Sequence, residues 1–217
     1  MPNWCATNYV IKGSEENLND LVHRLNTMEN HSNGFGRYWM GNLLINFGIP
    51  YEQVISTCNI HCRGIFSPQA DEEACLCGPD VDETQVFEIS EDGLLRMSTI
   101  TAYGQSDSME DFLKEKYPSL EFFFFSTDEF GNFHYVHDPE DIGNFYHFHL
   151  DSDDESTWYY SSQFEEFLND LKSACPGLDV PDSQEELLSD KFIENFLEWR
   201  DADESREFTG FFVAEKI

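Results

Sequence analysis

Long hydrophobic runs are missing from this sequence of 217 residues. No segment approaches the roughly 18 consecutive apolar residues that a membrane-spanning helix needs. The start of the chain also lacks a basic region followed by an apolar run, which is the pattern of a secretory signal. We therefore expect a cytoplasmic protein that does not associate with a membrane.

Basic side chains are scarce as well. The sequence has 12 Lys and Arg against 43 Asp and Glu, which gives a net charge of −31, and 38 of the acidic residues lie after residue 66. A field of this sign repels nucleic acid and attracts basic proteins. We expect a basic protein partner and no direct binding of nucleic acid. The alternative is a solvated acidic surface that serves only to keep an aromatic-rich protein soluble.

Several catalytic motifs are absent from the sequence. It contains no Gly-rich phosphate loop, no G-x-S-x-G elbow, no H-E-x-x-H pair and no kinase-like set of motifs. Enzyme classes that depend on these motifs are therefore disfavoured, and the sequence favours a protein without catalytic activity. It gives no indication of the oligomeric state.

Cysteine is present, but six cysteines in a chain of this length do not indicate a disulfide framework. Cys5 lies in an apolar run without a base or cation beside it, so we expect a packed core thiol. Five potential metal ligands lie close together in the sequence and could form a zinc site: Cys58, His61, Cys62, Cys75 and Cys77. The opposing interpretation is a set of reduced thiols in a loop.

A second candidate metal site lies in the segment FYHFHLD. In a strand, alternation places His147, His149 and Asp151 on one face and Tyr146, Phe148 and Leu150 on the other. Two imidazoles and a carboxylate can converge on one metal ion, and His134 or His137 could join them. The alternative is a half-exposed strand whose polar face is rich in histidine.

The first half of the chain shows clear signals for helices and strands. An interior strand is predicted from Trp4 to Ile11 because both of its faces are largely apolar. Gly13 ends this strand and Ser14 can cap the next helix, whose apolar stripe is Leu18, Leu21, Val22, Leu25 and Met28. The apolar runs between residues 38 and 66 fit a helix or a strand equally well.

The middle of the chain contains an acidic loop or insertion near 67–83, which is rich in Pro and Gly. A hairpin turning at Asp92-Gly93 follows it. A short helix ending before Pro118 leads to the strand LEFFFFS, and the turn TDEFGN connects that strand to its partner FHYVHD.

From Asp138 onward the pattern predicts two strands, two helices and a closing strand. Both helices begin with candidate capping boxes, one formed by Ser162 with Glu165 and the other by Ser183 with Glu186. The second helix is expected to bury Leu188, Phe192, Phe196 and Trp199. Carboxylates are expected along its outer side and at its end: Glu185, Glu186, Asp190, Glu194, Glu198, Asp201, Asp203 and Glu204.

Two patches of sequence carry a family resemblance. One contains Asn3-Trp4-Cys5, Asn8, Val10 and Gly13; the other contains Thr99 to Ala102, Tyr117 to Phe122 and Gly131. They resemble the YubB-like, phage Api-type ferredoxin-like family of phage and plasmid genomes. The resemblance implies a ferredoxin-like α+β fold and a mobile-element origin, and it supplies no activity or catalytic residue.

These observations predict an α+β protein with a ferredoxin-like antiparallel sheet and helices packed on one face. Residues 1–137 form this region, and residues 138–217 extend it as an acidic portion on the same sheet. The expected function is that of a non-catalytic accessory or interaction protein without a cofactor, whose acidic surface engages a basic partner or imitates DNA. The alternative is a metal-binding protein that uses the cysteine cluster or the histidine strand.

Overall fold

The computed structural model describes residues 4–29, 36–61, 64–68, 85–102, 107–128, 134–152, 155–203, 206, 210–213 and 215–216. The chain divides into two compact units, Met1–His137 and Asp138–Ile217. Most of the predicted acidic loop at 67–83 lies outside the described residues, as does most of the turn TDEFGN between the strands LEFFFFS and FHYVHD.

The first unit contains an antiparallel sheet with the strand order β2-β3-β1-β4-β5. Its strands are β1 (Trp4–Lys12), β2 (Gly64–Ser67), β3 (Leu95–Ala102), β4 (Glu121–Asp128) and β5 (His134–His137). The strand β1 lies between β3 and β4, where Tyr9 is opposite Met97 and Phe124. The predicted interior strand is therefore confirmed, because its alternating apolar faces suit a central position.

The helices of the first unit are α1 (Glu15–Asn26), α2 (Met40–Asn46), α3 (Tyr51–His61) and α4 (Asp107–Lys116). The Ser14 hydroxyl caps α1 by accepting a hydrogen bond from the Asn17 backbone N–H at 3.3 Å, as predicted. Leu18, Leu21 and Leu25 of the predicted stripe are fully buried. They pack with Tyr9 and Ile11 of β1 in the core of this unit.

The run from residue 38 to residue 66 contains α2, α3 and β2. Gly48, with φ of 88°, ends the first helical segment, and Pro50 starts the second by accepting from the N–H groups of Gln53 and Val54. Together with the buried position of Val54, these turn signals explain why Met40–Asn46 and Tyr51–His61 are helices. Hydrophobicity alone does not distinguish helix from strand in this run.

The predicted hairpin at Asp92-Gly93 is confirmed only in its second arm, β3. Residues 85–90 form no strand, and Ile89 contributes an isolated bridge to Leu95. The backbone of Phe87 bonds instead to the side chain of Asn26 at the end of α1, with both hydrogen bonds at 2.8 Å. The backbone polar groups of Phe87 are thus satisfied by α1 rather than by a strand ladder.

The second unit contains a smaller antiparallel sheet of order β7-β6-β8. Its strands are β6 (Tyr146–Ser152), β7 (Glu155–Tyr160) and β8 (Gly210–Val213), and its helices are α5 (Phe164–Ala174), α6 (Gln184–Leu187) and α7 (Asp190–Asp201). A 3₁₀ turn at Ser161–Gln163 precedes α5, and β9 (Glu215–Lys216) follows β8. Phe148 and Leu150 of β6 pack with Phe167, Leu171 and Phe196 in the core.

Two predictions about the helices of this unit are wrong. Ser162 does not cap α5, because the 3₁₀ turn comes first and Tyr160 pairs with Gln163 at its start. The predicted second helix is interrupted, with Ser183 capping α6 and Ser189 capping α7. This break buries Leu187 and leaves Leu188 40% exposed, so the predicted burial of Leu188 is wrong.

The predicted α+β class with an antiparallel sheet is confirmed. The helical segments that the structure describes include none with the length and apolar character required to cross a bilayer.

Candidate interaction site

The solvent side of α7 presents a row of carboxylates. Four of them are exposed at intervals of four, four and three residues: Asp190, Glu194, Glu198 and Asp201. This spacing places them on one face of the helix, about 4.5–6 Å apart along its axis. Phe192 and Phe196 lie on the opposite face and are buried.

The local sequence fixes the orientation of this helix. The Ser189 hydroxyl accepts a hydrogen bond from the Phe192 backbone N–H at 3.3 Å and donates one to the Glu186 carbonyl at 2.6 Å. Phe192 and Phe196 then contact Phe211 of β8, with ring centroids 5.7 Å and 4.8 Å apart. Burial of these rings leaves the charged face toward solvent.

Two aliphatic side chains lie beside the carboxylates. Ile193 is 40% exposed and Leu197 is 39% exposed, and they are one helical turn apart. We call the four carboxylates together with Ile193 and Leu197 the α7 ridge. Sequence reasoning identified its charges but missed its apolar part. The signal was available, since neither aliphatic residue falls on the buried stripe that contains Phe192 and Phe196.

Few cations neutralise the α7 ridge. Arg200 approaches Asp201 at 3.2 Å. Asp190, Glu194 and Glu198 make no salt bridge with any residue in the described ranges. The other predicted carboxylates are also exposed, namely Glu185, Glu186 and Asp203, and Glu204 lies outside the described residues. The ridge is therefore available to an external cationic surface.

The histidine strand has a different arrangement from the predicted row. His149 Nε2 lies 3.4 Å from Asp151 Oδ1, and the His149 ring stacks on Trp158 at 4.0 Å. His147 is buried beside the ring of Phe148. Over the described ranges, no group of three or more His, Cys, Asp or Glu side chains has the geometry to hold a metal ion.

A β-bulge explains part of this difference. The pairing of β6 with β7 shifts between Tyr146 and Phe148. Strict alternation would place these two residues on one face, but Phe148 lies in the core whereas Tyr146 contacts Trp158 and stacks on Tyr160 at 4.5 Å. The exposed face of this sheet thus carries an aromatic ladder that includes Tyr146.

Burial shifts the pKa values of His149 and Cys175 in the second unit. It lowers the pKa of His149, and the charge of Asp151 partly opposes this shift. It raises the pKa of the Cys175 thiol to about 11. The Cys175 thiol is therefore not placed as a nucleophile near neutral pH.

The structure tests the prediction for Cys5 but not the predicted zinc site. Cys5 is a fully buried core thiol, as predicted, with its sulfur 3.1 Å from the Ser126 hydroxyl oxygen. Cys58 and His61 belong to α3, but their side chains are outside the described set, as are Cys62, Cys75 and Cys77. The zinc site at this cluster stays a prediction.

Comparison with known proteins gives no match to a protein-family model, to a curated protein or to a solved structure. The resemblance to the YubB-like family therefore stays a prediction, and the α7 ridge is interpreted from its own chemistry.

Proposed function

We propose that this protein is a non-catalytic interaction protein whose α7 ridge binds a basic, DNA-binding protein in place of DNA. The observation that carries this proposal is the row of four exposed carboxylates on one helix face, held there by burial of Phe192 and Phe196 on the other. A helix with this division of charge presents a rigid negative strip to a cationic cleft.

The geometry of the strip supports imitation of a phosphate backbone. Its charges recur at about 4.5–6 Å along the helix axis, and Glu185 and Glu186 add two more exposed carboxylates just before it. Duplex DNA presents about one charge per 3.4 Å along each strand, so the α7 ridge is less dense than DNA. Ile193 and Leu197 provide apolar contacts that a purely ionic strip lacks, which favours a protein partner.

We also propose that the first unit has a ferredoxin-like fold, which the order of its strands supports. Within the first unit, β4-β1-β3-β2 are neighbours, α1 follows β1, and α4 connects β3 to β4. Together with the resemblance of the two sequence patches, this topology favours a YubB-like accessory protein of a phage or plasmid.

Competition with DNA tests the proposed function. A panel of purified, sequence-independent DNA-binding proteins is bound to fluorescent duplex DNA, and displacement by this chain is followed by anisotropy. We expect displacement of at least one panel member. Neutralising the four carboxylates in the variant D190N/E194Q/E198Q/D201N should weaken displacement by about tenfold, because each lost ionic contact contributes roughly 0.2–1 kcal/mol.

A second variant controls for net charge alone. E29Q/E88Q/E91Q/D179N removes the same number of exposed carboxylates at positions outside α7, and we expect it to displace DNA as well as the unmodified chain does. Equal losses in both variants, or displacement of no panel member, would contradict the proposal.

A further inference from the structure

A groove of about 380 Å³ lies between α4 and the segment that joins α2 to α3 in the first unit. Its apolar lining consists of Leu44, Ile49, Met109 and Phe112. Leu44 and Met109 are buried beneath the groove, whereas Ile49 and Phe112 are half-buried. This volume is within the range of natural ligand and peptide-anchor sites, and its apolar floor can receive a hydrophobic side chain.

Both charges on the lining of the groove are negative. Asp111 and Glu115 are exposed and stand one helical turn apart on α4, on the same side as Phe112. Asp111 makes no salt bridge within the described part of the chain. Gln53 and Ser108 complete the polar part of the lining. The groove therefore complements a ligand that is apolar on one side and cationic at its edge.

The structure already shows a cation at this edge of α4. The Lys116 ammonium lies 5.3 Å from the centroid of the Phe112 ring and 3.8 Å from the Glu115 carboxylate. Positive charge beside the aromatic ring and the carboxylate is thus compatible with the local geometry.

We propose that this groove binds a basic amphipathic helix of a partner protein. Leucine-like side chains of the helix occupy the floor at Met109 and Phe112, and its lysine or arginine side chains meet Asp111 and Glu115. This binding site is in the other unit from the α7 ridge, and the inference does not depend on the proposed function.

The spacing of the two carboxylates favours a helix over a small cation. Asp111 and Glu115 are separated by about 6 Å along α4, which is also the axial distance between residues i and i+4 of a helix that lies beside it. A partner helix can therefore pair two basic residues with both carboxylates while it keeps one apolar stripe over the floor. A ligand with a single amine satisfies only one carboxylate.

Methionine methyl resonances can locate this binding directly. The full chain, labelled with ¹³C at its methionine methyl groups, is titrated with a synthetic helix of about 14 residues that contains only leucine and lysine in an amphipathic order. We expect saturable movement of the Met109 resonance. Met28 is the internal reference, since it is as buried as Met109 at 3% exposure but does not line the groove.

Paired variants separate groove binding from general attraction to an acidic protein. D111N/E115Q should weaken the peptide affinity by about three- to tenfold, the loss expected for two exposed ionic contacts. E88Q/E91Q removes the same charge from exposed positions elsewhere and should change the affinity by less than about twofold. A peptide of the same composition with a scrambled order should bind more weakly than the amphipathic peptide.

Several results would overturn the proposal. They are an unmoved Met109 resonance, equal affinity for the scrambled peptide, equal losses in the two paired variants, and an equal Met109 shift caused by a simple alkylamine. The last result would assign the groove to a small amphiphile. Self-association of the chain that removes the Met109 response would likewise overturn it, because the groove would then be an interface between copies.

Discussion

At the scale of single residues, His149 links burial to the stability of the second unit. Its side chain is 8% exposed, stacks on Trp158 and lies 3.4 Å from the Asp151 carboxylate. Removal from water disfavours the charged imidazolium, and this effect outweighs the favourable field of Asp151, so the pKa of His149 is lowered from its ordinary value of 6.5. The folded protein therefore holds this ring neutral.

This shift predicts a loss of stability in acid. In the unfolded chain His149 binds a proton near pH 6.5, whereas in the folded chain it does so only at lower pH. Its stabilising contribution is therefore present above about pH 6.5 and decreases as the pH falls below that value, by at most about 1.4 kcal/mol per pH unit. Urea unfolding at a series of pH values between about 7.5 and 5.5 measures this slope.

The variant H149Q distinguishes this effect from general acid sensitivity. It should flatten the slope, because it removes the group whose proton binding differs between the folded and the unfolded chain. The slope is the informative quantity, because H149Q also changes packing against Trp158. An unchanged slope in H149Q would refute the assignment.

Whether the position of a side chain could be predicted from the sequence depends on how far along the chain its contacts lie. The burial of Cys5 follows from the apolar residues beside it in β1, and the structure confirms it. The position of Tyr146 depends on the bulge between β6 and β7, which is set by pairing with a separate strand. No local sequence pattern indicates that register shift. Simple alternation therefore predicts Tyr146 on the same face as Phe148, which is wrong.

At the scale of elements, the serine between α6 and α7 determines where the α7 ridge begins. Ser189 satisfies one N–H group at the start of α7 and bonds back to Glu186 of α6. We expect S189A to lower the free energy of unfolding by about 1 kcal/mol, the usual cost of removing an N-cap. Urea unfolding monitored by circular dichroism measures this change.

S173A is the matched control for the capping prediction. Ser173 lies inside α5, is exposed, and its hydroxyl bonds to the Asn169 carbonyl one turn earlier. Alanine is the better helix former at such a position, so we expect a change within about 0.5 kcal/mol. If S189A were as mild as S173A, the cap would not hold the start of α7.

The elements that could be predicted from sequence are those whose signals are local. The Ser14 cap and the apolar stripe define α1, and the alternating run defines β1. The division between α6 and α7 was missed because Ser183 and Ser189 both carry capping signals, and the apolar positions Leu187 and Leu188 fit either phase of a continuous helix. Packing in the core selects Leu187.

At the scale of the whole molecule, the sequence predicts the antiparallel α+β class but does not specify every neighbour in the sheet. The placement of β1 between β3 and β4 joins residues about a hundred positions apart, such as Tyr9 with Met97 and Phe124. Such long-range pairings depend on burial of the shared face of the sheet, which the sequence does not state directly. The net charge of −31, in contrast, follows directly from composition. The charge therefore allows a prediction about how salt affects the stability of the whole molecule.

Repulsion among carboxylates should make the protein more stable in salt. The described ion pairs are mostly exposed, as in Lys172–Asp182 with side-chain exposures of 43% and 87%, so screening them costs little. Raising NaCl from about 20 to about 300 mM shortens the Debye length from roughly 20 to 6 Å and screens the repulsion. We expect Tm to rise by about 3–6 °C, corresponding to about 1–2 kcal/mol.

The variant D190N/E194Q/E198Q/D201N tests the origin of this rise. It removes four charges from one helix face, so its Tm in low salt should exceed that of the unmodified chain and its further rise with NaCl should be smaller. Scanning calorimetry of both proteins at each salt concentration provides the comparison. A Tm that falls with NaCl in the unmodified chain would show that attractive ion pairs outweigh repulsion, and the α7 carboxylates would then be part of a balanced surface rather than an unneutralised strip.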